Sequence, residues 1–435
     1  MNFIGRLFGN QTRRSTAESV LTGFIGQAGV MITGVISARI LGPEGRGHLA
    51  LLVLVPSILT LLVGLGIPQA LTFELSRGHD GSEYIKTLIN RVFLAQAGLI
   101  ATAHGAIVWF YYAGQERDLM YAAALAVISG PAMLAIQYSV AIYMGLCLFR
   151  HVNVFKLAAP AGYAFALVAL YFSGGAGLEN VVLCWIVPLV AAAMVMLKIA
   201  RSAIPTATVY AQSPTATVGS LASFGYKGLI GTATPLESFR LDQFAAGLLI
   251  SPHALGLYAA GQAFGNLSRF IAGSVAQVAY PLVAKRRETQ AGIDTVWKFF
   301  YVSSAFIAMV TLTLCAITPT LIRVLFGPKF EDAIIIAELL IVGSLFAAIR
   351  KVVVESIRGL GHPKISTYAE LSMYPWLLTG GLAMTNMYGV LGLALAVAIA
   401  HFISMLVGVI ASHRALAGNK NISIADGRDW NENQE

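Results

Sequence analysis

The stretch SLASFGYKGLIGTATPLESFRLDQFAAGLLI, residues 220–250, decides how the rest of the chain is interpreted. Apolar residues fill both ends, and after Lys227 no charge follows until Glu237, Arg240 and Asp242 arrive together. As one helix, the part from Lys227 onward would extend over roughly 35 Å, enough to cross a bilayer. Arg240 would then lie near the middle of the membrane, where an unpaired charge costs several kcal/mol (~2.5–3.5 on insertion scales). We therefore expect Arg240 to be paired, to face an interior and to mark a pathway.

The composition excludes an ordinary soluble domain. Hydrophobic residues make up 57% of the chain, its mean hydropathy is +0.73, and only 11% of its residues are charged, against about 25% in soluble domains. We find no ~10-residue alternating strands of the kind that build a transmembrane barrel. The sequence predicts an all-α polytopic membrane protein with about twelve transmembrane helices. Its three cysteines stand singly in apolar runs, which indicates core residues and neither a metal site nor a disulfide framework.

The basic residues predict the topology. Most of the 29 Lys and Arg residues fall in alternate connections, or at the helix ends beside them. We attribute the net charge of +8 to this positive-inside pattern and not to nucleic-acid binding. The alternation places both termini in the cytoplasm and predicts a multi-pass chain with an even number of spans. The predicted parts are an N-terminal six-helix lobe (1–205), a cytoplasmic linker (206–218), a C-terminal six-helix lobe (219–416) and a cytoplasmic tail (417–435).

An internal repeat supports the two lobes. Pro43 and Gly47 recur as Pro252 and Gly256 at one common offset, each pair at the start of an apolar run that ends in a basic residue. Since each lobe holds an even number of helices, both would have the same orientation in the membrane. We expect them to be related by an axis along the membrane normal.

Polar residues follow one face of the predicted eighth span, residues 254–283: Gln262, Asn266, Arg269, Gly273 and Gln277. Arg240 and Arg269 would lie at similar depth on consecutive helices. Guanidinium groups bind phosphate oxygens bidentately. Two interpretations remain open. The arginines either belong to a helix-packing network, with Arg240 paired to Glu237, or face a water-filled cavity that binds an anionic substrate.

Three carboxylates are candidates for coupling transport to H⁺ or Na⁺: Asp242, Glu237 and Glu370. For His104 and His401, alone inside apolar runs, packing or hydrogen-bonded roles are expected. We find no Walker loop, HExxH, Asp-x-Asp or GxSxG motif. The sequence therefore predicts no catalytic residue, no metal site and no cofactor beyond a coupling ion.

Four segments resemble a known family. ARILGPEGRGHLALLVLVPSILTLLVGLGIPQALTFELSR (38–77) is similar to the first helix-loop-helix of bacterial polysaccharide flippases, the Wzx-like oligosaccharide-lipid translocases. RLDQFAAGLLISPHALGLYAAGQAF (240–264) resembles their central repeat. LIRVLFGPKFEDAIIIAELLIVGSLF (321–346) and RGLGHPKIS (358–366) resemble their C-terminal half. These segments are characteristic of the wider multidrug/oligosaccharidyl-lipid/polysaccharide exporter superfamily and indicate little about the substrate.

The resemblance implies two six-helix lobes around a central cavity, as in MATE transporters, with alternating access in a bacterial inner membrane. It implies an undecaprenyl-diphosphate-linked glycan as substrate, moved from the cytoplasmic to the outer leaflet, with its pyrophosphate held by Arg240 and Arg269. Membrane lipids are implied partners, and polysaccharide polymerase or export proteins are further candidates. The alternatives are a cation-coupled drug or metabolite antiporter of the same fold and a non-transporting component of a polysaccharide assembly complex.

Overall fold

The computed structural model of the protein is built of helices, and the residues that it describes contain no strand. The described residues are 10–76, 82–204, 219, 221–226, 234, 236, 240–284, 290–360, 362 and 364–429. The all-α class predicted from composition is confirmed. By its internal contacts the chain divides into two compact units, Met1–Ala233 and Thr234–Glu435. The predicted linker 206–218 lies outside the described residues, and the predicted lobe limits stay predictions.

The first unit is built around a long, bent first helix. Its described helices are α1 (Asn10–Gly64), α2 (Ile67–Ser76), α3 (Ser82–Tyr112), α4 (Arg117–Ala126), α5 (Ser129–Gly145), α6 (Phe149–Phe172) and α7 (Leu178–Ala203). The bend of α1 is at Gly42, where φ is 68°, a left-handed conformation that glycine adopts at no steric cost. Pro43 follows the bend and begins the second arm, a position that does not need its missing N–H.

The second unit contains helices of uneven length. They are α8 (Leu241–Leu249), α9 (Pro252–Ala284), α10 (Gln290–Leu325), a 3-10 turn (Pro328–Phe330), α11 (Ala333–Gly359), α12 (Lys364–Leu371), α13 (Met373–Trp376), a π-helical turn (Leu377–Gly381) and α14 (Leu382–Asp429). α14 is bent at Gly389, where φ is 59°. Pro252 begins α9, so the two repeat prolines each stand at the start of a helix that follows a break.

Eight helical stretches in the described part of the chain are long and apolar enough to cross a membrane: Gly23–Gly64, Lys86–Tyr112, Arg117–Gly145, Phe149–Phe172, Leu178–Ala203, Ile293–Leu325, Ala333–Arg358 and Lys364–Leu416. The first and the last contain the bends at Gly42 and Gly389, so each consists of two helical arms. The protein is thus a multi-pass membrane protein.

The prediction of one continuous helix from Lys227 to Ile250 is wrong. Residues 221–226 are helical, Thr234 and Leu236 are not, and the next helix begins only at Leu241. The sequence between them contains Gly228, Gly231 and Pro235. A proline disfavours the helical conformation of the residue before it and cannot donate its own backbone hydrogen bond. A stretch that is apolar enough for one span is therefore divided into separate pieces.

Candidate functional site

Three helices of the second unit meet closely because glycines line their contacts. A Cβ atom at Gly261 of α9 would lie 3.1 Å from the backbone nitrogen of Ala337 in α11. A Cβ at Gly343 of α11 would lie only 2.9 Å from the Cα of Ala398 in α14. Without side chains at these points the helix backbones approach one another directly. The polar side chains that project beside these contacts are thereby held in one small region.

Arg240 stands immediately before α8 and has a left-handed backbone, with φ at 48°. Its guanidinium is partly buried and lies within electrostatic reach of Asp242, Tyr258 and Arg269. Among the described residues it forms no ion pair, and Glu237, the partner considered from the sequence, lies outside them. Arg240 is thus placed at a helix start and not within a helix.

Asp242 is the centre of a buried hydrogen-bond network. The side chain is 3% exposed, and its Oδ2 accepts hydrogen bonds from the Tyr258 hydroxyl at 2.7 Å and from the Gln262 Nε2 at 2.9 Å. Gln243 donates in turn to the Gln262 Oε1. The Oδ1 of Asp242 is buried without a hydrogen-bond partner in the described part of the protein. A buried acceptor left in this condition is costly, so the site favours a donor or a cation there.

Arg269 completes the site from the next turns of α9. It donates a hydrogen bond to Asn266, three residues earlier on the same helix. The guanidinium lines a cavity of about 20 Å³, which is room for one water molecule. Polar side chains from four helices share this lining: Asp242, Tyr258, Gln262, Arg269, Ser344 and His401.

A second charged cluster lies beside the first. Arg350 of α11, 7% exposed, forms an ion pair with Glu370 of α12. His401 of α14 is 5% exposed, lines the cavity, and lies within electrostatic reach of both Arg269 and Arg350. The sequence analysis did not select Arg350 as a site residue, and it gave His401 only a packing or hydrogen-bonded role. The sequence signal that could have predicted this ion pair was Glu370, because a carboxylate inside an apolar span needs a partner.

Most of the predicted site residues come together. Arg240, Asp242, Gln262 and Arg269 meet around one network, with Asn266 at its edge. Glu370 pairs with Arg350 outside the cavity lining. The side chain of Gln277 and the whole of Glu237 are not among the described residues. No group of three or more His, Cys, Asp or Glu side chains able to hold a metal ion occurs within the described part.

Comparisons with known proteins agree on family and fold. The family model described as "Polysaccharide biosynthesis protein" matches residues 36–335. An uncharacterized membrane protein of Methanocaldococcus jannaschii is 24% identical over 387 residues, which cover 86% of this chain and 92% of that protein.

Two solved structures share the fold at 13% sequence identity. The lipid II flippase MurJ, in an inward closed conformation, superposes with a TM-score of 0.69 over 90% of this chain and 86% of that chain. A multidrug resistance MATE family transporter of the MOP superfamily, inward-facing, superposes with a TM-score of 0.68 over 91% of this chain and 96% of that chain. The resemblance noted in the sequence is confirmed at the level of family and superfamily fold.

Proposed function

This chain belongs to the polysaccharide biosynthesis protein family, and from that premise we propose that it is a flippase for an undecaprenyl-diphosphate-linked oligosaccharide. It would move the lipid-linked glycan from the cytoplasmic to the outer leaflet of a bacterial inner membrane, by alternating access. The fold shared with a lipid II flippase and with a MATE transporter supports a transport role. The substrate itself is argued from the charges of the site.

The observation that carries the proposal is the pair of guanidinium groups beside one buried carboxylate. Arg240 and Arg269 lie within electrostatic reach of each other and of Asp242. Among the described residues one carboxylate faces two guanidinium groups, an excess of positive charge in an apolar surrounding, where burying an uncompensated charge is expensive. A diphosphate supplies the missing negative charge, and its oxygens fit the fork of each guanidinium. The present cavity is smaller than a diphosphate, so binding would require a conformation in which the site is open.

Asp242 is the proposed coupling residue. When a diphosphate binds the two arginines, its negative charge offsets the stabilisation that they give to the ionised Asp242 carboxylate. The unpartnered Oδ1 of Asp242 then binds H⁺ or Na⁺ more tightly. Substrate and cation would then favour each other's binding, which is the condition for coupled transport. We keep Glu370 as a weaker candidate, because Arg350 already neutralises it.

Substitutions of Arg269 and Arg240 test the site. Lysine keeps the charge and loses the fork, so Arg269→Lys should reduce glycan export partly and Arg269→Ala by about tenfold or more, since hydrogen bonds to charged groups contribute about 1.5–3 kcal/mol. Export of labelled lipid-linked glycan is measured together with protein abundance in the membrane. In the same assay, Asp242→Asn should make export insensitive to the H⁺ or Na⁺ gradient.

Arg323→Ala is the matched control, because Arg323 pairs with Glu331 on an exposed surface of the same unit. Its export should equal that of the parent protein. Full export by the Arg240→Ala/Arg269→Ala double variant at normal abundance would refute the assignment. A loss of abundance in step with export would instead support the helix-packing interpretation.

The antiporter of the same fold remains the second candidate because of one feature, the buried and incompletely paired carboxylate of Asp242. A cationic drug would be attracted to that carboxylate and repelled by the two arginines. Protection of cells against cationic drugs, abolished by Asp242→Asn and strengthened by Arg269→Ala, would favour the antiporter over the flippase.

A further inference from the structure

The second arm of α1 and helix α2 are separated by a sharp break. α1 ends at Gly64, and the next two residues have left-handed backbones, Leu65 with φ at 49° and Gly66 with φ at 67°. α2 then starts at Ile67. Leucine adopts this conformation only at a cost in strain, so other contacts must hold the break in place.

One side of the break is fixed by a buried polar brace. The side chain of Gln96, 7% exposed, donates hydrogen bonds to the carbonyl of Val63 at 2.7 Å and to that of Gly64 at 3.4 Å. Tyr138 orients this amide by donating its hydroxyl to the Gln96 Oε1 at 2.7 Å. The brace satisfies carbonyls that the interrupted helix leaves without partners. The end of α1 is thereby fixed from α3 and α5, independently of α2.

The other side is covered by the helical segment 221–226, which we call the strap. A Cβ atom at Gly66 would lie 2.2 Å from the carbonyl oxygen of Gly225, and a Cβ at Gly225 would lie 2.5 Å from the carbonyl carbon of Gly66. The two backbones touch only because neither residue has a side chain. Phe224 stacks on Phe73 of α2, with ring centroids 4.7 Å apart. Leu221, 5% exposed, belongs to the same core as Ile67 and Leu71 of α2.

The strap has few points of attachment. Phe224 and Phe73 keep 46% and 39% of their surface exposed, so the stack lies at a surface. The one deeply inserted side chain is Leu221, and the glycine contact depends on an exact fit of two backbones. The strap therefore contacts α2 through one buried leucine, one exposed ring stack and one close backbone contact.

We infer that residues 221–226 form a releasable strap that fixes the position of α2 at the 64–66 break. The brace keeps the end of α1 constant, and the strap determines how α2 continues from it. Both the strap and the break lie within the first unit. This inference concerns the conformation of the first unit and does not depend on what the protein transports.

Gly225→Ala tests the inference. Alanine in place of glycine within a helix normally stabilises that helix, but here the added Cβ would collide with the backbone of Gly66 and displace the strap. We expect amide hydrogen exchange of residues 67–76 and 221–226 to become about tenfold faster in the purified full-length protein in lipid nanodiscs. Exchange in α4, which contributes no residue to the core that contains Leu221, should stay unchanged.

Phe224→Ala provides a second route, because it removes the ring stack without a collision and should speed exchange in the same two segments. The controls are Gly98→Ala in α3, where an added Cβ meets nothing within 4 Å, and Phe165→Ala, whose ring is 79% exposed. Neither should change exchange in α2. Unchanged exchange in both strap variants would overturn the inference. Faster exchange spread evenly over the first unit would also overturn it, because the contact would then be a general part of the core.

Discussion

The buried charges of the second unit are tolerated in two different ways. Asp242 receives hydrogen bonds from Tyr258 and Gln262 and stays incompletely paired. Arg350 and Glu370 neutralise each other directly. Asp242 lines the cavity, where its carboxylate is accessible to a ligand. Arg350 and Glu370 lie outside that lining and cancel each other's charge, although the Nε of Arg350 and the Oε2 of Glu370 also lack hydrogen-bond partners among the described residues. For this reason we assign the pathway to the former and a structural role to the latter.

At this scale, removing one partner of the buried pair should strongly destabilise the protein. Glu370→Gln leaves the guanidinium of Arg350 buried and uncompensated, which typically costs about 3–5 kcal/mol. The unfolding free energy of the purified protein in detergent measures the effect. Glu331→Gln, in the exposed pair with Arg323, is the control and should cost no more than about 1 kcal/mol. Equal losses in the two variants would contradict the structural role of Arg350 and Glu370.

The elements that carry the site depend on glycine contacts and breaks more than on helix length. Gly261, Gly265 and Gly343 bring α9, α11 and α14 together. Arg240 caps the start of α8 with a left-handed backbone. Short helices and a π-helical turn, Leu377–Gly381, interrupt the path between α12 and α14. Interruptions of this kind are frequent at functional sites in membrane proteins.

The close helix contacts predict a position-dependent effect of alanine. Gly343→Ala places a Cβ 2.9 Å from the Cα of Ala398, which forces α11 and α14 apart and should destabilise the protein by about 1–3 kcal/mol. Gly34→Ala in α1, where the added Cβ meets nothing within 4 Å, should be neutral or stabilising by up to about 1 kcal/mol. Thermal unfolding in detergent compares the two. A Gly343→Ala variant as stable as Gly34→Ala would show that the contact is not tight.

For the whole molecule, the charge pattern predicts a topology that can be checked in cells. Cysteines introduced as Gln11→Cys, Ser213→Cys and Ser423→Cys should escape a membrane-impermeant thiol reagent, because basic connections stay in the cytoplasm. Gln115→Cys, in a connection of the opposite set, should be labelled. The parent protein gives the background from its own cysteines. Labelling of any of the first three in intact cells would show that the orientation is inverted or that a span is miscounted.

The sequence by itself determined the class of the protein, and it predicted residues that the structure brings together in the candidate site. Hydrophobic runs of membrane length leave helices as the simplest structure, since backbone groups in lipid must be satisfied internally. Rare charges inside such runs indicate function because their burial is expensive. Arg240, Asp242 and Arg269 could be selected in this way, and Gln262 from the polar face of its span; the structure brings the four close together.

Only the tertiary structure decided which charges face one another. The hydrophobic pattern indicates where Arg350 lies along its own helix. Its partner Glu370 lies on a different helix, and the spacing of residues in the sequence does not show that the two side chains meet. His401 reached the cavity lining because the α9, α11 and α14 backbones approach at glycines, a matter of packing between distant segments. The division of residues 220–250 likewise follows from local backbone preferences of glycine and proline, which a count of apolar residues does not register. Composition determines which segments can lie in the membrane, and packing between distant segments determines which side chains come into contact.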